Sequence, residues 1–130
     1  MPEFSGIHHV AITVSDLEAS AVFYEKLWSQ PPVGSLEGPD LVRRMFRLPD
    51  GTMVGLTQHG GGGAQAFNPR AAGLDHLGFA VADRKGLQAW QDHLEAQGMA
   101  HSGIVEDDSG LALNVKDPDG TALEFFVANN

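Results

Sequence analysis

The sequence predicts an α+β fold built from two paired βαβββ modules, a curved mixed sheet around a cleft. Three observations predict it. The stretch GIHHVAITVSD at Gly6–Asp16 returns as GLDHLGFAVAD at Gly73–Asp83, sixty-seven positions later. Each copy alternates as a strand does and is followed by apolar residues at helical spacing. The turn PDGT occurs at Pro49–Thr52 and again at Pro118–Thr121, at an offset of sixty-nine.

The elements follow in order. Ile7–Val14 is β-branched and alternating, which predicts a strand. Asp16 stands where a helix N-cap belongs, with Glu18 in the first turn. Leu17, Ser20, Ala21, Tyr24 and Leu27 fall on one helical face, and Pro31-Pro32 stops the helix near Ser29. Val33–Glu37 is a short strand, Gly38-Pro39-Asp40 a turn, Leu41–Leu48 a strand and Thr52–His59 the next. Four glycines, Gly60–Gly63, then open a linker that is flexible at first and draped over the surface afterwards. A phosphate cradle is the competing reading of those glycines, but no lysine-bearing strand-to-helix context follows them.

The second module repeats the plan. Leu74–Val81 is a strand, Asp83 an N-cap, and Gly86–Gln97 a helix with Gly98 as its C′ residue. His101–Glu106, Leu111–Lys116 and Thr121–Val127 are strands separated by turns at Asp107–Gly110 and Asp117–Gly120. The first module spans about residues 4–59, the linker about 60–72 and the second module about 73–130, together one domain-sized chain.

Composition excludes several classes. The net charge of −9 argues against nucleic-acid binding, which needs a basic surface. No apolar run is long enough to cross a bilayer. MPEFSGIHH has neither a basic n-region nor an apolar h-region, so cytoplasm is the expected compartment. With no cysteine, disulfides and thiolate ligands are excluded. Arg43, Arg44 and Arg47 supply three of the eight basic residues. They read either as solvated strand-edge charge or as a contact for an anionic substrate.

Strand alternation then selects the candidate site. Each module covers one sheet face with its helix, so the other face must find a partner or line a cavity. That free face carries His9, Ala11 and Thr13 in the first strand and His76, Gly78 and Ala80 in the fifth. The opposite faces carry the bulk, Val10, Ile12 and Val14 in one and Leu77, Phe79 and Val81 in the other. Each aligned histidine therefore sits among small side chains, as in the wall of a cleft. In the last strand Glu124 interrupts an apolar run. A buried carboxylate there needs a cation, a hydrogen-bonded partner or a raised pKa. Two histidines and a carboxylate can ligate a divalent metal and leave positions open for water or substrate. The competing reading makes them ordinary strand residues. His8, His93 and His101 take that bland reading throughout.

HHVAITVSDLEASAVFYEKL, LDHLGFAVAD and KDPDGTALEFF resemble the vicinal oxygen chelate superfamily. That group includes glyoxalase I, extradiol ring-cleaving dioxygenases, methylmalonyl-CoA epimerase, fosfomycin-resistance enzymes and bleomycin-resistance proteins. The resemblance covers nearly the whole chain and implies the glyoxalase/bleomycin resistance/dihydroxybiphenyl dioxygenase-like fold. It also implies metal ligands at His9, His76 and Glu124. Glyoxalase I has a further glutamate in the last strand of its first module. The PDGT repeat places that position at Gly55, so the fourth ligand is missing.

That loss argues against glyoxalase I isomerisation and weakens epimerisation. What remains is similar to the two-histidine, one-carboxylate set of extradiol dioxygenases and fosfomycin-resistance enzymes, though the latter's potassium- and phosphonate-binding residues have no clear match. The resemblance implies a divalent ion (Fe, Mn, Ni or Zn), a small oxygen-chelating substrate, lyase, isomerase or ring-cleaving dioxygenase chemistry, and a homodimer. The alternative is a metal-free binding protein of the bleomycin-resistance type. His59, on the same face as Gly55 and Thr57, is the candidate acid–base residue, with a rim or plain surface role as the competing reading.

Overall fold

The computed structural model describes residues 1–129; Asn130, the last residue of the expected second module, lies outside them. The chain divides into two compact units, Met1–Gln65 and Ala66–Asn130. Unit 1 runs β1 (His9–Thr13), α1 (Leu17–Trp28), β2 (Gly34–Glu37), β3 (Leu41–Arg47) and β4 (Met53–His59). Unit 2 runs β5 (Leu77–Ala80), α2 (Arg84–Ala96), β6 (Ile104–Asp107), β7 (Gly110–Lys116) and β8 (Ala122–Ala128). Each is therefore a βαβββ module.

The sheets have one topology. Unit 1 orders its strands β1-β4-β3-β2 and unit 2 orders them β5-β8-β7-β6. The first strand of each pairs in parallel with the last, and the other pairs are antiparallel. A parallel pair needs a long crossover, and the helix supplies part of it. The PDGT turns close alike. Gly51 N–H donates to the Leu48 carbonyl and Gly120 N–H to that of Asp117, both at 2.9 Å.

Both helices begin where the sequence places their caps. The Asp16 carboxylate accepts from Ala19 N–H at 3.2 Å, and that of Asp83 from Gly86 N–H at 2.8 Å. In α1 the amide of Leu17 also donates to the Gln58 side chain of β4 at 2.8 Å, pinning helix to sheet. The α2 helix ends in a Schellman arrangement. Met99 N–H bonds the Leu94 carbonyl and Gly98 N–H that of Glu95, with Gly98 at φ 70°.

Each core lies between helix and sheet. In unit 1, Leu17, Tyr24 and Leu27 of α1 are buried with Phe46 of β3 and Val54 and Leu56 of β4. In unit 2, Leu87 and Leu94 are buried with Leu113, Leu123 and Phe125, and Trp90 stacks on Phe125 at 4.1 Å. A fully buried side chain of this size contributes about 1.5–3 kcal/mol. These packings decide which residues are left on the other face of each sheet.

Several edges differ from expectation. β1 starts at His9 rather than Ile7, which is exposed. β5 starts at Leu77, so His76 stands one residue before the strand rather than inside it, because pairing with β8 begins at Leu77↔Leu123. β6 starts at Ile104 rather than His101: Gly103 takes φ 74° and its N–H bonds His101 Nδ1 at 2.9 Å, a local turn in place of a ladder. α2 starts directly after its cap at Arg84, two residues before the expected Gly86.

Candidate functional site

The register places the two modules' key positions in the same relation. Gly55 of β4 lies opposite Ala11 of β1, and Glu124 of β8 opposite Gly78 of β5. Ala11 and Gly78 are the matching positions of the repeated strand. Gly55 is therefore the structural counterpart of Glu124, as the PDGT offset predicts.

In unit 2, His76 and Glu124 come together. His76 Nδ1 lies 2.8 Å from Asp75 Oδ2, and its Nε2 lies 3.9 Å from Glu124 Oε1. An ionised carboxylate only accepts hydrogen bonds, so Nδ1 must donate to Asp75. In neutral His76, Nε2 then carries a lone pair, and it faces a second carboxylate. Two electron-rich groups so placed call for a cation between them. A proton is one: the Asp75 hydrogen bond, and to a lesser extent the nearby Glu124 charge, raise the His76 pKa above 6.5 against partial desolvation. A metal ion is the other. The 3.9 Å separation is within the reach of two donors each about 2.0–2.2 Å from one ion.

Asp75 was not singled out from the sequence, although it adjoins His76. A carboxylate on the far nitrogen is how metal-binding histidines are usually oriented. Glu124, expected as a buried acid, is instead 23% exposed at its side chain, and its Oε1 lies 3.9 Å from where a Cβ at Gly78 would be.

In unit 1, His9 is exposed and shares an Nδ1···Nδ1 hydrogen bond of 2.9 Å with His8. One ring must donate and the other accept. His9 Nε2 is left bare for a ligand only when His9 donates through Nδ1. His8 thus holds the place that Asp75 holds in the other module. Around Gly55 the counterpart acid is replaced by a different feature. A Cβ at Gly55 would lie 3.4 Å from Arg43 Cδ, and Arg43 Nε donates to Thr57 Oγ1 at 2.7 Å.

The three arginines separate by alternation. Arg44 points to the helix side and pairs with Glu18 at 3.2 Å. Arg43 lies on the helix-free face, as Gly55 and Ala11 do. Arg47 is exposed at the end of β3. His59 is exposed at the end of β4, opposite Leu41. Among the described residues no three or more His, Asp or Glu side chains gather as a metal-holding group, so the expected set of His9, His76 and Glu124 is not seen assembled.

A helix-backed mixed sheet in duplicate, with a histidine at the start of the first strand in one copy and just before it in the other, and an acid in the last strand of the second, defines a protein of the vicinal-oxygen-chelate class. Residues 6–125 match the Glyoxalase/Bleomycin resistance protein/Dioxygenase superfamily, and the chain belongs to it. A solved glyoxylase/bleomycin resistance protein/dioxygenase domain from Frankia sp. EAN1pec is 31% identical, with a TM-score of 0.88 over 98% of this chain and 100% of its own. A glyoxalase family protein from Enterococcus faecalis is 27% identical, with a TM-score of 0.76 over 95% and 98% of the two chains. A lactoylglutathione lyase from Agrobacterium tumefaciens, 23% identical with a TM-score of 0.71 over 97% and 96%, shares the fold. No curated protein sequence matches the chain. Among the described residues no helix is long and apolar enough to cross a membrane.

Proposed function

We propose that the protein is a metal-dependent enzyme that takes a small, oxygen-chelating substrate, with His9, His76 and Glu124 holding one divalent ion (Fe, Mn, Ni or Zn). The observation that carries this reading is the bare Nε2 of His76, set by Asp75 and aimed at Glu124 at 3.9 Å. His9 occupies the matching place in the other module and is proposed as the third ligand. Bound there, the ion would supply Lewis-acid polarisation of vicinal substrate oxygens.

The chain's own residues have separate tasks. Asp75 fixes the His76 tautomer and ring plane. Gly78 and Ala11 leave room beside the ligands. His59, at the exposed end of β4, gives or takes a proton. Gly55 supplies no second acid in unit 1, which turns the reading away from glyoxalase I isomerisation and toward lyase or ring-cleaving dioxygenase chemistry. The working form we propose is a homodimer in the cytoplasm.

The test is metal analysis of protein purified without chelator and after reconstitution, with His76→Ala beside it. One equivalent of a divalent ion is expected, and the variant should lack it. No stoichiometric ion under either condition would overturn the reading. Where iron binds, anaerobic Fe(II) loading followed by air and catechols separates the chemistries: a ring-cleavage chromophore marks the dioxygenase, and its absence favours lyase or isomerase action.

A further inference from the structure

We propose that Arg43 is a substrate-binding residue, and that the ligand it takes carries a carboxylate. The inference deepens the site described above by naming the charge of its ligand. It rests on the helix-free face of unit 1 being a binding face, and it does not require the metal.

Three observations carry it. First, Arg43 is half-buried and has no acidic partner among the described residues. Arg44, the other half-buried arginine, pairs with Glu18. Arg47 and Arg70 also make no ion pair among the described residues, but both are exposed, whereas Arg43 is half-buried. Second, the side chain is held in place. Its Nε donates to Thr57 Oγ1 at 2.7 Å, and Thr57 is only 3% exposed. The bond uses Nε alone and leaves the Nη1 and Nη2 donors for another acceptor. That fork matches the two oxygens of a carboxylate. Third, the arginine fills the space of a missing acid. Its Cδ and Cγ lie 3.4 and 3.8 Å from where a Cβ at Gly55 would be. Gly55 has no positive φ, so its backbone does not demand glycine. Glycine at 55 makes room for the arginine stem.

The position that holds a metal-facing acid in unit 2 thus holds a guanidinium in unit 1. One guanidinium balances one negative charge. Arg47, four residues along β3 and on the same face, is about 13 Å away at the usual strand rise and adds little. A singly charged carboxylate fits this better than a doubly charged phosphoryl group. Thr57 is a positioning residue, acting through Arg43.

The experiment uses full-length protein freed of metal by chelator and dialysis, so that acetate on an ion cannot give the signal. The Arg43 Nε–H resonance is followed by NMR during titration with sodium acetate, with chloride holding ionic strength constant. Acetamide is the uncharged control, and inorganic phosphate the doubly charged one. Acetate should shift the resonance saturably, acetamide should not, and phosphate should bind no more tightly than acetate. Arg43→Lys, read on the Thr57 amide, should weaken acetate by at least tenfold, since charge without the fork is not enough. Gly55→Glu should abolish the response by giving Arg43 an internal acid. The dispersed amide spectrum of each free variant checks that it folds. An acetate response unchanged in Arg43→Lys or Gly55→Glu, an equal response to acetamide, tighter binding of phosphate, or no response at all would overturn the proposal. None of these outcomes depends on metal content, so failure here and failure of the metal reading are told apart.

Discussion

His76 owes its chemistry to the residue beside it. Asp75 accepts from Nδ1 at 2.8 Å and so decides which nitrogen faces Glu124. The same bond is the largest cause of the raised His76 pKa. The sign follows from linkage: stability from this pair is fully present below 6.5 and is lost as pH rises through the raised folded value. In metal-free protein, NMR titration should find His76 above 6.5, and Asp75→Asn should bring it down. A value unmoved by that change would remove Asp75 from the role given to it. Ser20 makes a second case at this scale. It is fully buried on α1, and its hydroxyl has no partner among the described residues. An unsatisfied buried polar group costs about 1–3 kcal/mol, and alanine is the better helix former. Ser20→Ala should therefore raise stability by about 1 kcal/mol in denaturant unfolding. Neither residue was legible as such. The sequence places Ser20 on the buried helical face but not the fate of its hydroxyl, and it places Asp75 next to His76 but not which ring nitrogen it meets.

Helices and turns were the legible elements, because their signals are local. Asp16, Asp83 and Gly98 act as caps where sequence puts them. Strand starts were less legible, because pairing sets them. β5 opens only where Leu77 meets Leu123, and β6 only after the turn at Gly103. The glycines show the same division. Gly110 opens β7 with φ 148°, and a Cβ there would run into the Val127 carbonyl oxygen of β8. That neighbour is ladder backbone and cannot step aside. Gly55 sits mid-strand, and a Cβ there would meet the flexible Arg43 stem at 3.4 Å. Gly110→Ala should cost about 3 kcal/mol, within the range for steric clash and backbone strain. Gly55→Ala should cost less than about 1 kcal/mol, since the contact can relax. Urea midpoints of the two variants check the contrast, and equal losses would refute it. In sequence both are simply glycines near a strand.

At the scale of the whole molecule, the repeat is symmetric in backbone and asymmetric in chemistry. Both units share one strand order and one register, down to Gly55 and Glu124 in the same slot. Unit 2 carries a histidine, its orienting acid and a second acid. Unit 1 carries a histidine, another histidine in the orienting place and an arginine across the missing acid. No group of three or more metal-binding side chains gathers among the described residues. As proposed, the ion takes His9 from unit 1 and His76 and Glu124 from unit 2, so it should act on the stability of the entire molecule. A ligand bound only by the native state stabilises it by about 2.7 kcal/mol at one hundred times its Kd. Saturating divalent metal should raise the Tm by several degrees, and chelator should reverse the rise. His9→Ala in unit 1 and Glu124→Ala in unit 2 should each remove most of it, although the two residues belong to different units. The signs oppose below neutrality: protons compete with the ion for His76 Nε2, so the metal-dependent rise should shrink as pH falls through the raised His76 pKa. Calorimetry of the two variants, with and without metal, reads this directly. A rise that survives His9→Ala but not Glu124→Ala would place the ion in unit 2 alone, on His76 and Glu124. The first histidine would then stand as a relic of the duplication.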